Sequence, residues 1–324
     1  MQAATPSNER EALASRRRAS KEITEGIEET IDDLHSLSDL QRVREVFFFV
    51  LLYAVGALLA SSSDRFQAFF LVGVVCMGAA LNSLAILIHD GLHGLLARNS
   101  KVNHLLSFLV GLPIGMSATA YQITHINHHY QLGRKLDFGT YRQHVKRRSL
   151  VWVAYVVQLF FGTILYVAFI PFLAFHVASR RSRLLILSEY GVILACYMIL
   201  FSNLAFESIL MYWVYPLIVM SMLTNIRGLA SHALGDVENI YLSSRTVKSS
   251  KLVSLFFLHE NYHLEHHLFP RVPSYNLSKI HALVWDRLPE ALYSRSYSHF
   301  LLGLLKAALR NDMKPMGVIR PLDK

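Results

Sequence analysis

Charge is scarce in this chain. Only 17% of its 324 residues are Asp, Glu, Lys or Arg, while 53% are hydrophobic; an average soluble domain carries about 25% charged residues. The mean hydropathy of +0.33 agrees, so much of the surface is expected to face something other than water. Cysteine is almost absent. Cys76 and Cys196 both lie inside apolar runs, which excludes a disulfide framework and a thiolate metal site, and two thiols are too few for an iron–sulfur cluster. No flavin or nicotinamide motif is present. The net charge of +9 comes without a nucleic-acid module or a basic stripe interleaved with aromatics, so nucleic acid is not an expected partner. A positive-inside bias of a membrane protein accounts for it better.

The length allows one large domain or two small ones, and the chain divides by composition into three parts. Residues 1–45 are polar, with Arg16, Arg17 and Arg18 followed by Glu22, Glu25, Glu28, Glu29, Asp32 and Asp33. No apolar h-region or small-residue cleavage site follows the basic cluster, so this part reads as a cytoplasmic extension rather than a secretory signal, and function is not expected there. Residues 46–285 read as a membrane domain and 286–324 as a cytoplasmic C-terminal tail.

Within the membrane domain, apolar stretches occupy 46–60, 68–88, 150–175, 184–202 and 207–224. A helix needs about 20 apolar residues to span a bilayer. The short connections at 61–67 and 202–206 predict two helical hairpins. The first turn has one cation, Arg65, and the second none. Arg42, Arg44, Arg134, Lys135, Arg142, Lys146, Arg147, Arg148, Arg180, Arg181 and Arg183 lie on the other side, which puts both termini and the long loops in the cytoplasm. The stretch at 150–175 is long enough to cross, but a single crossing there would separate histidines on either side of it. With Pro171 inside it, it reads as interfacial or re-entrant, leaving four true spans.

Histidine is what the chain has in excess: 16 residues. His89 and His93 stand in HDGLH, and His125, His128 and His129 in HINHH. His259, His263, His266 and His267 stand in HENYHLEHHLFP, and His232 ends RGLASH. Residues three and four apart share a helix face, so HxxxH and HxxHH aim two or three imidazoles at one point. Imidazole suits zinc, copper, nickel and iron alike. Without His259, nine such rings exceed the needs of a single metal, so two are implied. His35, His104, His144, His176 and His299 are isolated and read as ordinary hydrogen-bonded histidines.

HDGLH, HINHH and the HxxHH of NYHLEHHLFP, in that order and separated by hydrophobic hairpins, resemble the membrane fatty acid desaturase superfamily over roughly residues 46–285. VPSYNLSKIH, residues 272–281, is similar to bacterial and cyanobacterial-type members. The resemblance implies an all-α integral membrane fold: four transmembrane helices in two hairpins plus interfacial helices, capped by a cytoplasmic helical domain that holds two irons. Its ligands would be His89, His93, His125, His128, His129, His263, His266 and His267, with His232 as a ninth. His259 is a candidate ligand or supporting residue, and Asp90, Glu260, Glu265 and Asp137 are candidate acceptors for the ligands' other N–H groups. The pattern also departs from relatives. The first box has three intervening residues rather than the four of stearoyl-CoA-type members, and Gly228 stands where those carry Asn. His263 replaces the Gln of front-end desaturases, and neither the haem-binding HPGG nor the NYxEHYG of alkane hydroxylases is present.

The activity implied is O2-dependent desaturation of a long fatty acyl group carried by a lipid, by CoA or by an acyl carrier protein. A saturated C–H bond offers a general base no acidity to exploit, so the chemistry belongs to metal and O2. The electrons must come from a separate donor, ferredoxin or cytochrome b5 with its reductase. Arg142, Lys146, Arg147 and Arg148 are candidates for meeting that donor, a carrier's acidic surface or lipid phosphates. The expected setting is the plasma membrane or the endoplasmic reticulum, with the histidine boxes cytoplasmic. Two alternatives share the scaffold: a fatty acyl hydroxylase, and a carotenoid hydroxylase or ketolase. A third, a non-catalytic metal-binding transporter, would place polar ligands near the bilayer midplane, whereas here they flank cytoplasmic cations.

Overall fold

The computed structural model describes residues 14, 17–62, 67–132, 137, 145 and 147–321. Among these the helices are α1 (Glu28–Leu34), α2 (Asp39–Ser61), α3 (Gln67–Leu92), α4 (Ser100–Gly111), α5 (Ala118–Gln131), α6 (Arg148–Val177), α7 (Arg180–Asn203), α8 (Tyr215–His232), α9 (Lys251–Phe256), α10 (His263–Leu268), α11 (Leu277–Val284) and α12 (Tyr297–Leu309). The chain forms two compact units. One comprises residues 37–123 and 160–225, the other 1–36, 124–159 and 226–324.

The first of these is a helical unit whose outer faces are apolar. α2 and α3 form the hairpin read from the short 61–67 connection. They touch backbone to backbone, because a Cβ on Gly73 would lie 2.4 Å from the Gly56 carbonyl oxygen and one on Gly56 2.7 Å from that of Gly73. Small residues at a crossing are how helices approach closely where no water drives them together. A Cβ on Gly78 would collide with Val219 of α8 at 2.4 Å. Leu58, Leu71, Phe172, Leu184, Leu194 and Ile199 are all largely exposed, as expected of side chains that face acyl chains.

Five helices are long and apolar enough to cross a membrane: α2, α3, α6, α7 and Phe206–His232. A pair bent by 100°, Ser100–Ile114 with Ala118–Gln131, would make a sixth. A multi-pass membrane protein is the consistent reading. α6 differs from expectation in one respect: it runs unbroken through Pro171. Proline removes a single N–H from a 30-residue helix, and a long apolar helix tolerates that loss.

The bend between α4 and α5 is held from three directions. Gly115 takes the left-handed conformation at φ +69. Tyr197 donates to the Leu112 carbonyl at 2.8 Å, and Trp213 to that of Pro113 at 2.9 Å. Buried Glu189 of α7 accepts from the Ser117 hydroxyl at 2.5 Å and from the Thr119 amide and hydroxyl at 3.1 and 2.7 Å. A carboxylate there satisfies one orphan amide of the α5 N-terminus, that of Thr119, and complements its dipole. The same Glu189 bonds His104 at 2.8 Å.

The second unit is not purely helical. It contains a small sheet, with β1 (Arg245–Val247) parallel to β2 (Ala291–Ser294) and β3 (Val318–Ile319) antiparallel to β2. These strands of two to four residues are too short for an alternating pattern to announce them. One core joins Leu229, Leu234, Val247, Phe300 and Leu304. A second joins Leu264, Leu268, Leu277, Ile280 and Leu288 with Ala19, Ile23 and Ile31 from the N-terminal segment.

Candidate metal centre

Three stretches of the second unit bring histidines together. The last turns of α5 carry His125, His128 and His129, and α8 ends at His232. α10 carries His263, His266 and His267. The Nε2 atom of His232 lies 3.2 Å from that of His128 and 3.0 Å from that of His263, which lies 3.2 Å from Nε2 of His267. Nε2 of His129 is 2.9 Å from Nε2 of His125 and 3.1 Å from that of His266. Nitrogens of His128, His232 and His267 all fall within 4.8 Å of one another, as do those of His125, His129 and His266. Six of these seven rings are buried, at 1–7% exposure.

The outward nitrogens decide what the inward ones can do. Nδ1 of His128 lies 2.8 Å from Asp137 Oδ1, that of His263 3.1 Å from Glu260 Oε2, and that of His232 3.2 Å from the Ser243 carbonyl. Carboxylates and carbonyls only accept, so each Nδ1 carries the proton and each neutral ring turns a lone pair inward at Nε2. Lone pairs facing each other at about 3 Å repel unless a cation lies among them. His267 cannot relieve this by protonation: burial and the neighbouring imidazoles hold it well below the usual histidine range, so it stays neutral. An all-nitrogen, inward-facing donor set, with the outer nitrogens of His128 and His263 on carboxylates and that of His232 on a carbonyl, is what a histidine-ligated metal needs.

Local structure explains how α10 is aimed. Leu258 and His259 both take left-handed backbone conformations, φ +43 and +61, at a cost of order 1–3 kcal/mol each. The turn carries Glu260 and Asn261 inward, both essentially inaccessible. Asn261 then bonds Val247 of β1 through its carbonyl at 2.8 Å and its side-chain amide at 3.0 Å. Glu260 supports His263, with Oε1 3.7 Å from His266 Nδ1 and Arg227 3.8 Å away. His259 joins neither metal-competent group and stacks on Tyr262.

Glu265 faces away from the ring cluster. It accepts from the Thr246 hydroxyl at 2.6 Å and pairs with His281 of α11. His281 had no role from the sequence, and VPSYNLSKIH was its only signal. Arg245 is a second residue the sequence did not reveal. Fully buried, its guanidinium donates to the carbonyls of Ala230 at 2.5 Å, Ala233 at 3.0 Å and Met316 at 2.9 Å, and it lies over the Phe300 ring. It thereby caps the end of α8 that presents His232. Burial draws its pKa down to about 10, which leaves it charged at neutral pH.

The remaining predicted residues belong to the other unit. His89 lies in the last turn of α3 and His93 directly follows it, with ring centroids 5.4 Å apart. Asp90 between them is buried and paired with Arg42, which also bonds Glu45 at 2.7 Å and the Leu95 carbonyl at 2.9 Å. Arg42 is therefore a buried structural cation, although the sequence counted it among loop charges. Arg147 and Arg148 are exposed, while Arg134, Lys135, Arg142 and Lys146 lie outside the described residues.

Residues 65–299 match the fatty acid desaturase family. The chain is 27% identical over 237 residues to dihydrorhizobitoxine desaturase of Bradyrhizobium elkanii, a match spanning 64% of this chain and 65% of that protein. It is 23% identical over 249 residues to sn-1 oleoyl-lipid 12-desaturase of a Picosynechococcus strain, spanning 69% and 72%. With the family's histidine pattern and a buried cluster of inward-facing imidazoles, the chain belongs to the fatty acid desaturase family.

Proposed function

We propose that this protein introduces a double bond into a long fatty acyl chain, with a membrane lipid as the leading carrier and CoA or an acyl carrier protein as alternatives. The convergence of the Nε2 atoms of His128, His232, His263 and His267 carries the proposal. Both relatives are named as desaturases, and one is named for an oleoyl lipid, which favours desaturation of a lipid-bound chain over hydroxylation.

The ligand set is His125, His128, His129, His232, His263, His266 and His267, completed by His89 and His93 through their HxxxH spacing. Two irons bound there would supply the oxidising power, with O2 and two electrons from ferredoxin or cytochrome b5. The overall change is balanced: a –CH2–CH2– unit, O2, two electrons and two protons give –CH=CH– and two waters. The protein's own residues perform the ordering. Asp137, Glu260 and the Ser243 carbonyl retain the Nδ1 protons and so fix which nitrogen each ring presents. Burial of the rings keeps bulk water away from a reaction that water would divert.

For the membrane, parity is the guide. α6, α7 and Phe206–His232 lie in sequence between His128 and His232, two rings in contact, so an even number of them crosses. We assign α7 and Phe206–His232 as crossing, with α2 and α3 as the other hairpin and α6 lying along the interface. The histidines and both termini then share the cytoplasmic side with exposed Arg147, Arg148, Arg180 and Arg181.

Expression beside His128→Ala in a host with a competent electron donor tests the function. Acyl lipids lighter by one H2, made only by the intact chain, are the expected result. Products heavier by one oxygen atom would replace desaturation with hydroxylation. No change in acyl products would overturn the acyl-substrate reading.

A further inference from the structure

Ala19, Ile23, Ile27, Ile31 and Leu34 recur at helical spacing in the polar N-terminal segment. The structure turns this stripe inward. Residues 17–24 are helical, Gly26 makes a left-handed turn at φ +79, and α1 follows. Ala19, Ile23 and Ile31 are buried at 3–6% exposure in the same core as Leu264 and Leu268. Those two leucines form the opposite face of the helix that presents His263, His266 and His267. Every acid of the segment (Glu22, Glu25, Glu28, Glu29, Asp32 and Asp33) faces outward.

Polar contacts fasten the segment along its length. The Ser20 hydroxyl donates to the Leu268 carbonyl at 2.9 Å, satisfying the last residue of α10. Arg287 donates to the Glu25 carbonyl at 2.7 Å, Asn276 to that of Leu34 at 2.9 Å, and Tyr275 to that of Ser36 at 3.3 Å. A six-residue helix such as α10 is too short to be stable alone, so its position depends on what packs on it. The segment precedes the family match, which begins at residue 65.

We propose that residues 17–36 form a strap that positions the third histidine box, with Ile23, Ile31 and Ser20 acting through Leu264 and Leu268 rather than on the metal or substrate. Its bearing on metal retention rests on the reading of His263, His266 and His267 as ligands. Its mechanical role does not.

Hydrogen exchange of the metal-free, full-length protein tests the strap directly. The amides of His266, bonded to the Tyr262 carbonyl, and Phe269, bonded to that of Glu265, are the reporters, and residues 125–131 are the internal control. In Ile23→Asp, exchange over 264–269 is expected to rise about tenfold or more with the control unchanged, and Ile23→Val restores protection. Should Ile23→Asp not fold, Ser20→Ala decides, with an increase of about threefold or more at the same amides. Unaltered exchange over 264–269 would overturn the strap, as would an equal rise over 125–131, which marks general loosening. In iron-loaded protein the same variants are expected to lose iron to a chelator about tenfold faster. If the intact chain holds no iron, the proposed function fails while the exchange result still decides the strap.

Discussion

Asp137 Oδ1 lies 2.8 Å from Nδ1 of His128, and this contact sets which nitrogen His128 turns toward His232. Asp137 is fully buried, so the carboxylate is there to hold that proton rather than to meet solvent. Asp137→Ala frees the ring to flip or change tautomer. Metal affinity is expected to fall about 10–100-fold, read by competition with a calibrated chelator, with helicity retained. Unchanged affinity would remove Asp137 from the site.

Glu260 supports the third box as Asp137 supports the second. Glu260→Gln keeps the shape but can offer His263 an amide N–H where a proton acceptor is needed. The expected result is a loss of metal affinity of the same order, while Glu265→Gln, which faces Thr246 and His281, alters thermal stability more than affinity. Equal affinity losses in the two variants would show that the buried carboxylates act through the fold alone.

Arg245 contributes by holding the end of α8. Arg245→Met leaves three buried carbonyls without their donor, each worth about 1–3 kcal/mol, so the melting temperature should fall by several degrees. Arg245→Lys provides the charge without the planar fork and is expected to recover only part of that loss. Full stability in Arg245→Met would mean that the α8 end needs no cap.

The α2–α3 hairpin depends on Gly56 and Gly73. Gly73→Leu places a branched side chain where a Cβ alone would meet the Gly56 carbonyl at 2.4 Å. Overpacking of this kind costs about 1–3 kcal/mol or more. Reduced membrane yield and a lower melting temperature in detergent are expected, with Gly191→Leu, where nothing lies within 4 Å, as the neutral comparison.

The sequence made the histidine clusters legible because helical spacing alone brings i, i+3 and i+4 rings onto one face, as at His125, His128 and His129. It also made the α2–α3 hairpin legible, through runs long enough to span. Supporting groups were read less well. Asp137 and Glu260 were named among several candidates, but nothing in local sequence separates Glu260, which faces the rings, from Glu265, which does not. The difference lies in the left-handed turn at Leu258 and His259, a conformation that favours glycine and that a leucine does not announce. Arg245 and His281 were missed because their partners are carbonyls and a glutamate distant in the chain. The role of residues 17–36 was missed for another reason: dense charge masked the stripe Ala19, Ile23, Ile27, Ile31 and Leu34, which the period of 3.6 would have shown.

The most direct test of the central claim is to count iron per chain in the purified full-length protein and record X-ray absorption at the iron edge. The account predicts two irons per chain in a shell of histidine nitrogens, with the count falling in His128→Ala and His267→Ala. An iron-free chain, a single metal, or a shell containing sulfur would contradict it.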